Sequence, residues 1–174
     1  MVFSPMTMLN CTRFLILATT LLLCQISVAE ILHGRVIGIS DGDTVTVLDD
    51  TNTQYKVRLL GIDAPEKNQA FGNASKKNLS DLIFNRRVSV EYRKQDKYGR
   101  ILGKIMLNGL DVNLEQVKSG LSWHYKKYQM EQFDDDRLLY VQTEEQARAR
   151  KHGLWMDNDP IPPWIWRKAR FFNY

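Results

Sequence analysis

Beyond residue 29 the chain has no cysteine, because Cys11 and Cys24 both precede that point. The absence excludes disulfides and thiolate metal sites from the remainder, whose core must therefore stand on packing alone. Histidine is almost as scarce, and His33, His124 and His152 form no cluster that suggests zinc. His124, within a run of aromatics and lysines, reads as a packed or surface histidine and not as a catalyst. There is no internal repeat or low-complexity tract, which excludes a solenoid. A strong charge of one sign is missing too. The formal net charge is +4, and +3 once Arg13 is set aside, a modest excess that suits a polyanionic ligand without identifying one.

The first 29 residues read as a cleaved export signal. Arg13 is their only charged side chain, an apolar run from Phe14 to Cys24 follows, and Ser27-Val28-Ala29 supplies the small residues that a signal peptidase accepts. The run is shorter than the ~20 residues of a spanning helix. Cleavage after Ala29 is expected, with a secreted or periplasmic product and no stable membrane association afterwards. The bulky Leu23 before Cys24 argues against lipidation, and Met1, Met6 and Met8 all stand as possible starts. The expected organisation is a signal over 1–29, one domain over 30–156 and a basic aromatic tail over 157–174. The remainder is long enough for a single domain burying roughly 70% of its unfolded surface.

Val36, Ile37 and Ile39 lead into an Asp41-Gly42 turn, after which Val45 and Val47 alternate with Thr44 and Thr46, so the spacing predicts a hairpin. A second turn near Thr51 or Asn52 would set Asp43 opposite residue 59 or 60, beside the Gly61-Ile62-Asp63 exit. Phe71, Ala74, Leu79, Leu82 and Ile83 recur at helical intervals, with Asn85 as a left-handed stop. Strands are expected over Val88–Tyr92 and Ile101–Leu107. A short helix capped by Asp111 or Asn113 ends at Gly120. A third helix, led by Asp134 to Asp136, stops at Gly153. Short strands interleaved with helices, in no regular alternation, indicate an α+β fold.

The charged residues Asp43, Arg58, Asp63, Glu66 and Arg100 bracket this pattern. Carboxylates able to hold a hard cation, a further one able to manage a water proton, and guanidiniums that fit phosphate as a fork are the parts of a phosphodiester hydrolase. Each has a plainer reading as a turn acid, a strand-edge charge or a solvated loop residue. Asp41 is either an outer ligand through water or the first residue of an Asp-Gly turn.

Five strings, GDTV, RLLGIDAPE, DKYGR, VNLEQVKSGL and EEQARARKHGLW, stand in an order and spacing that resembles the staphylococcal-type thermonucleases from about Gly34 to Trp155. The resemblance implies a five-stranded OB-type β-barrel with three α-helices and a single calcium ion (Ca2+) held by Asp43, Asp63 and the Ala64 carbonyl. It implies endonuclease action on DNA and RNA with 3′-phosphate products; single strands are expected to be favoured because an enclosed site needs an accessible backbone, and a monomer is expected. Arg58, Glu66 and Arg100 would be catalytic. Lys97 and Tyr98 would contact a flanking phosphate, and Tyr125 or Tyr128 the base. The alternative is an OB-fold module that binds single-stranded nucleic acid without chemistry. The tail, rich in Pro, Trp and Arg, lies outside the resemblance. Either Trp164 and Trp166 pack back on the domain, or the tail stacks on bases and touches phosphates.

Overall fold

Alternating β-branched residues at the start of the domain form β1 (Glu30–Ile39) and β2 (Thr44–Leu48), and Tyr55, Val57 and Leu59 carry the same alternation into β3 (Gln54–Leu59). The computed structural model describes residues 29–171, so the expected signal segment up to residue 28 lies outside the described residues. β1 pairs with β5 (Arg87–Gln95) through Glu30 to Arg35 and with β2 through Arg35 to Ile39, and its register shifts between Val36 and Gly38. That irregularity bends one long strand so that it serves both neighbours. β5 pairs with β6 (Ile101–Leu107), and β6 closes on β3 in parallel, Val57 opposite Ile101. The result is a closed five-stranded barrel of the OB type, extended by the two-residue β7 (Leu110–Asp111).

The inward positions Val36, Val45, Val47, Val57, Leu59, Val88, Val90, Ile101 and Ile105 are buried and fill the barrel. α1 (Gly72–Ile83) covers one end with Leu79 and Ile83 and stops before Asn85, whose φ is 61°. α2 (Val112–Lys118) adds Val112 and Val117, and α3 (Asp134–Ala149) adds Tyr140. Asp111 caps α2 by accepting the Leu114 N–H (3.0 Å). Asn113 has a different task from the cap that the sequence left open to it. Fully buried, it accepts the Ile105 N–H (3.1 Å) and donates to the carbonyls of Leu60 (3.0 Å) and Gly103 (3.1 Å), fastening α2 to the end of β3 and to β6.

Two features go beyond the expectation from sequence. Asp136 does more than complement the start of α3, since it is buried and pairs with Lys104 on β6 at 2.8 Å. The tail, to which the sequence pattern assigns no secondary structure, is helical: α4 (Pro163–Phe171) follows a bend over 157–159 and the Pro160-Ile161-Pro162 segment. Pro at the first helical position, with φ already fixed and no N–H to lose, favours that start. Trp164 of α4 joins a second apolar cluster made of Trp123, Ala147, Leu154 and Trp155. The Arg148 guanidinium lies over Trp155 (3.7 Å) and Trp123 (4.9 Å), which fastens α3 to the same cluster. Among the described residues no helix is long and apolar enough to cross a membrane.

Candidate active site

The β2–β3 register sets the first contact of the site. Thr44 pairs with Arg58, and the Leu59 N–H donates to the Asp43 carbonyl at 2.8 Å, so Asp43 stands at the mouth of the strand pair as the hairpin spacing predicts. The turn before it is held from two sides. The Asp41 side chain accepts the Asp43 N–H (3.1 Å), which is the Asp-Gly turn reading of Asp41. Gln116 on α2 donates to the Gly42 carbonyl (2.6 Å). A Cβ at Gly42 would lie 1.9 Å from the Ser75 hydroxyl and 2.8 Å from the Ala64 methyl, so only glycine lets the turn sit this close to α1 and to the second acid.

Asp63 reaches the same place from the other end of β3. After Gly61, which has φ of 78°, the two-residue β4 (Ile62–Asp63) pairs with β8 (Trp123–His124), and the Tyr125 N–H donates to the Gly61 carbonyl at 2.8 Å. One short pairing therefore fixes Asp63 and delivers Tyr125 beside it. His124 faces away from this chemistry. Its ring is buried with Nε2 2.8 Å from the Gln132 side chain, and burial holds the imidazole below its ordinary range.

Arg58 joins the two acids. Its Nη1 lies 2.8 Å from Asp43 Oδ2, and its Nη2 donates to Asp63 Oδ1 at 2.8 Å. Asp43 is 5% exposed and Asp63 is wholly buried, so both carboxylates are removed from water and depend on protein cations and N–H groups. Burial pushes the Asp43 carboxyl well above its usual range; Arg58 and the Ala64 N–H, which donates to Oδ2 at 2.6 Å, pull against it, while Asp41 and Asp63 add to the rise. A carboxylate in that position gains from further positive charge.

Glu66 follows Pro65 into a loop organised by Gln69. The Glu66 N–H donates to the Gln69 side chain (3.1 Å), and the Gln69 N–H returns a bond to the Glu66 carbonyl (2.8 Å). Across the cleft, the β5–β6 hairpin carries Lys97, Tyr98 and Arg100 around the left-handed Gly99. Asp96 shapes this turn by accepting the backbone N–H groups of Tyr98 (2.9 Å) and Arg100 (3.0 Å) and the Arg100 Nε–H (2.8 Å). Partial burial works to raise the Asp96 carboxyl, but these bonds together leave it below its usual range. Tyr98 is 72% exposed at the rim.

All the residues singled out from the sequence, Asp43, Arg58, Asp63, Ala64, Glu66, Lys97, Tyr98, Arg100 and Tyr125, line one open cleft of about 760 Å³. The cleft also holds a residue that sequence reasoning missed. Arg167 of α4 donates through Nη1 to Glu66 Oε1 (2.7 Å) and Asp63 Oδ1 (3.2 Å), and through Nη2 to Asp63 Oδ2 (2.7 Å). The one sequence signal toward it is the basic aromatic character of the tail, in the reading in which the tail touches phosphates. Trp164, one turn earlier, stacks on Tyr125 with ring centroids 5.1 Å apart and an interplanar angle of 12°. Burial, and after it the charge of Asp63, push the Tyr125 phenol up.

The donor set suits a hard cation in its chemistry: two convergent buried carboxylates with a peptide between and no nitrogen or sulfur ligand. Among the described residues no group of three or more His, Cys, Asp or Glu could hold a metal by itself. A cage built here would need backbone, water and phosphate oxygens to complete it, as the sequence already implied.

The family model described as staphylococcal nuclease homologue matches residues 56–157. The chain belongs to the staphylococcal nuclease family. It is 45% identical over 139 residues to an uncharacterized endonuclease of Haemophilus influenzae, covering 80% of this chain and 75% of that protein. It is 37% identical over 146 residues to the micrococcal nuclease of Shigella flexneri, covering 79% and 81% of the two chains. Protein ParB of Escherichia coli is 38% identical over 146 residues, 79% of this chain and 80% of its own. As a member of this family the chain is a nuclease, a hydrolase of ester bonds. The matched span ends before α4, so the family pattern does not cover Arg167 and Trp164.

Proposed function

We propose that this nuclease is a calcium-dependent endonuclease that hydrolyses DNA and RNA to 3′-phosphate ends. The observation that carries the reading is the Arg58 guanidinium bridging Asp43 and Asp63 in a cleft that also holds Glu66 and Arg100. Calcium bound at Asp43, Asp63 and the Ala64 carbonyl would supply Lewis-acid polarisation of a non-bridging phosphate oxygen. The remaining work falls to the chain's own side chains. Arg58 and Arg100 donate to phosphate oxygens and offset the charge that grows on them. Glu66 accepts a proton from the attacking water, whose oxygen bonds to phosphorus as the bond to the 5′ oxygen breaks. Lys97 and Tyr98 hold the flanking phosphate, and Tyr125 stands where a base would stack. The sugar 2′ hydroxyl has no part in this scheme, so DNA and RNA both serve, and single or fraying strands reach the cleft most readily.

A short end-labelled DNA tests this. Cleavage is expected with calcium, is lost on chelation and is poorly rescued by magnesium, which demands tighter octahedral geometry and keeps its waters. The products should carry 3′-phosphate ends. Full activity in excess chelator would remove the metal from the scheme, and 5′-phosphate products would reverse the orientation assigned to Lys97 and Tyr98.

The reading extends to location. An export signal ending at Ala29 would deliver the enzyme to the periplasm or the medium, where calcium reaches the millimolar levels that an incomplete cage requires. Mass spectrometry of the exported protein should find Glu30 at the N-terminus. A membrane-bound product that retains Met1, Met6 or Met8 would make the segment an anchor.

A further inference from the structure

The cleft contains an alternating chain of charges, Asp43, Arg58, Asp63, Arg167 and Glu66, whose fourth member comes from α4. Arg167 takes both oxygens of Asp63 and one of Glu66. A calcium ion on Asp63 would sit roughly 2.3–2.6 Å from its oxygen. With Arg167 Nη2 already 2.7 Å from Oδ2, two cations would share one buried carboxylate and repel each other at a separation well inside the screening length of salt. The same guanidinium holds the carboxylate proposed to receive the water proton.

α4 covers a second feature of the cleft with different chemistry. Trp164 lies flat on Tyr125, on a ring face that a nucleobase would use. One nine-residue helix thus supplies an aromatic ring where a base would stack and a cation where the metal would bind. The helix is secured from below. Pro163 is buried, Trp164 meets Trp123 edge-on at 5.6 Å, and Gln69, which organises the Glu66 loop, donates to the Ile161 carbonyl at 2.5 Å.

We infer that α4 is an intramolecular latch: Arg167 competes with calcium for Asp63 and Glu66, and Trp164 competes with a nucleobase for Tyr125. The inference rests on the calcium reading proposed above. In the closed state Arg167 neutralises acids that would otherwise repel one another. Bound calcium would supply the same neutralising charge, which would leave the Arg167 guanidinium free to withdraw. The latch therefore sets the calcium concentration at which the site opens, through residues that the family pattern does not include.

The test is calcium titration of the full-length protein by calorimetry, without substrate. Arg167→Gln removes the competing charge and should tighten calcium binding about tenfold, the effect of losing one charge-assisted contact. Arg167→Lys keeps the charge but lacks the fork, and should fall between the two. Arg167 is 39% exposed, so neither change empties a core site. In the wild type, saturating calcium should raise amide hydrogen exchange across residues 163–171. Equal or weaker calcium affinity in Arg167→Gln, or unchanged exchange across α4, overturns the latch. Asp63→Asn separates the two ideas. If it abolishes calcium binding while Arg167→Gln changes nothing, the metal reading stands and the latch falls; if calcium neither binds the wild type or Arg167→Gln nor supports cleavage of the end-labelled DNA, both fall.

Discussion

Glu66→Gln should lower turnover by about a hundredfold or more while leaving nucleic-acid binding in place. The amide keeps the length of the side chain and can still accept the Arg167 Nη1–H that Glu66 Oε1 now accepts at 2.7 Å, so the loop stays where Gln69 holds it. What disappears is the group that takes the proton from water. Single-turnover cleavage of a labelled DNA, together with binding of a short oligonucleotide, measures the two quantities separately. Activity within a few-fold of wild type would take Glu66 out of the chemistry. Equal loss of binding and turnover would make it a structural residue of the loop.

Arg58→Ala should fail in two ways that calcium distinguishes. The side chain is 14% exposed and bridges carboxylates that are 7% and 1% exposed, so its removal strands buried negative charge. Breaking a buried pair from one side typically costs about 3–5 kcal/mol. Asp43 carries most of that burden, because Arg167 still serves Asp63. Thermal melting of the metal-free variant should show the loss. Saturating calcium should restore part of the stability by replacing the missing cation, without restoring turnover, because the phosphate has lost its guanidinium. A variant that melts like the wild type without metal would show that the two acids do not depend on Arg58. One that recovers full turnover with calcium would remove Arg58 from catalysis.

The site was legible in the sequence to the extent that it is built from local geometry. A two-residue periodicity with a turn near Asn52 determines which residue faces Asp43, and the structure has the Leu59 N–H on the Asp43 carbonyl. Glycines mark the turns because side chains cannot follow the chain there, as at Gly61 and Gly99. The interior of α2 was not legible in the same way. Asn113 resembles a cap in sequence, since an amide at a helix start usually bonds the next turn, and only the packing of α2 over β6 gives it three backbone partners instead. Gln116 and Gln69 offer no sequence signal at all, because a glutamine that holds a distant carbonyl looks like any polar residue on a solvated face.

By itself the sequence determined the alternation that makes the strands, the turns that join them, and the approach of Asp43 to Asp63, because these follow from spacing along a few dozen residues; Arg100 joined them only through the family resemblance. The tertiary structure alone decided that α4 returns to that mouth. Arg167 and Asp63 are 104 positions apart, and no periodicity reaches that far. Their meeting depends on where β8 pins Asp63 and Tyr125, on the tryptophan cluster that receives Trp164, and on the bond from Gln69 to Ile161. Each is a contact between segments whose separation in the chain carries no information about their separation in space.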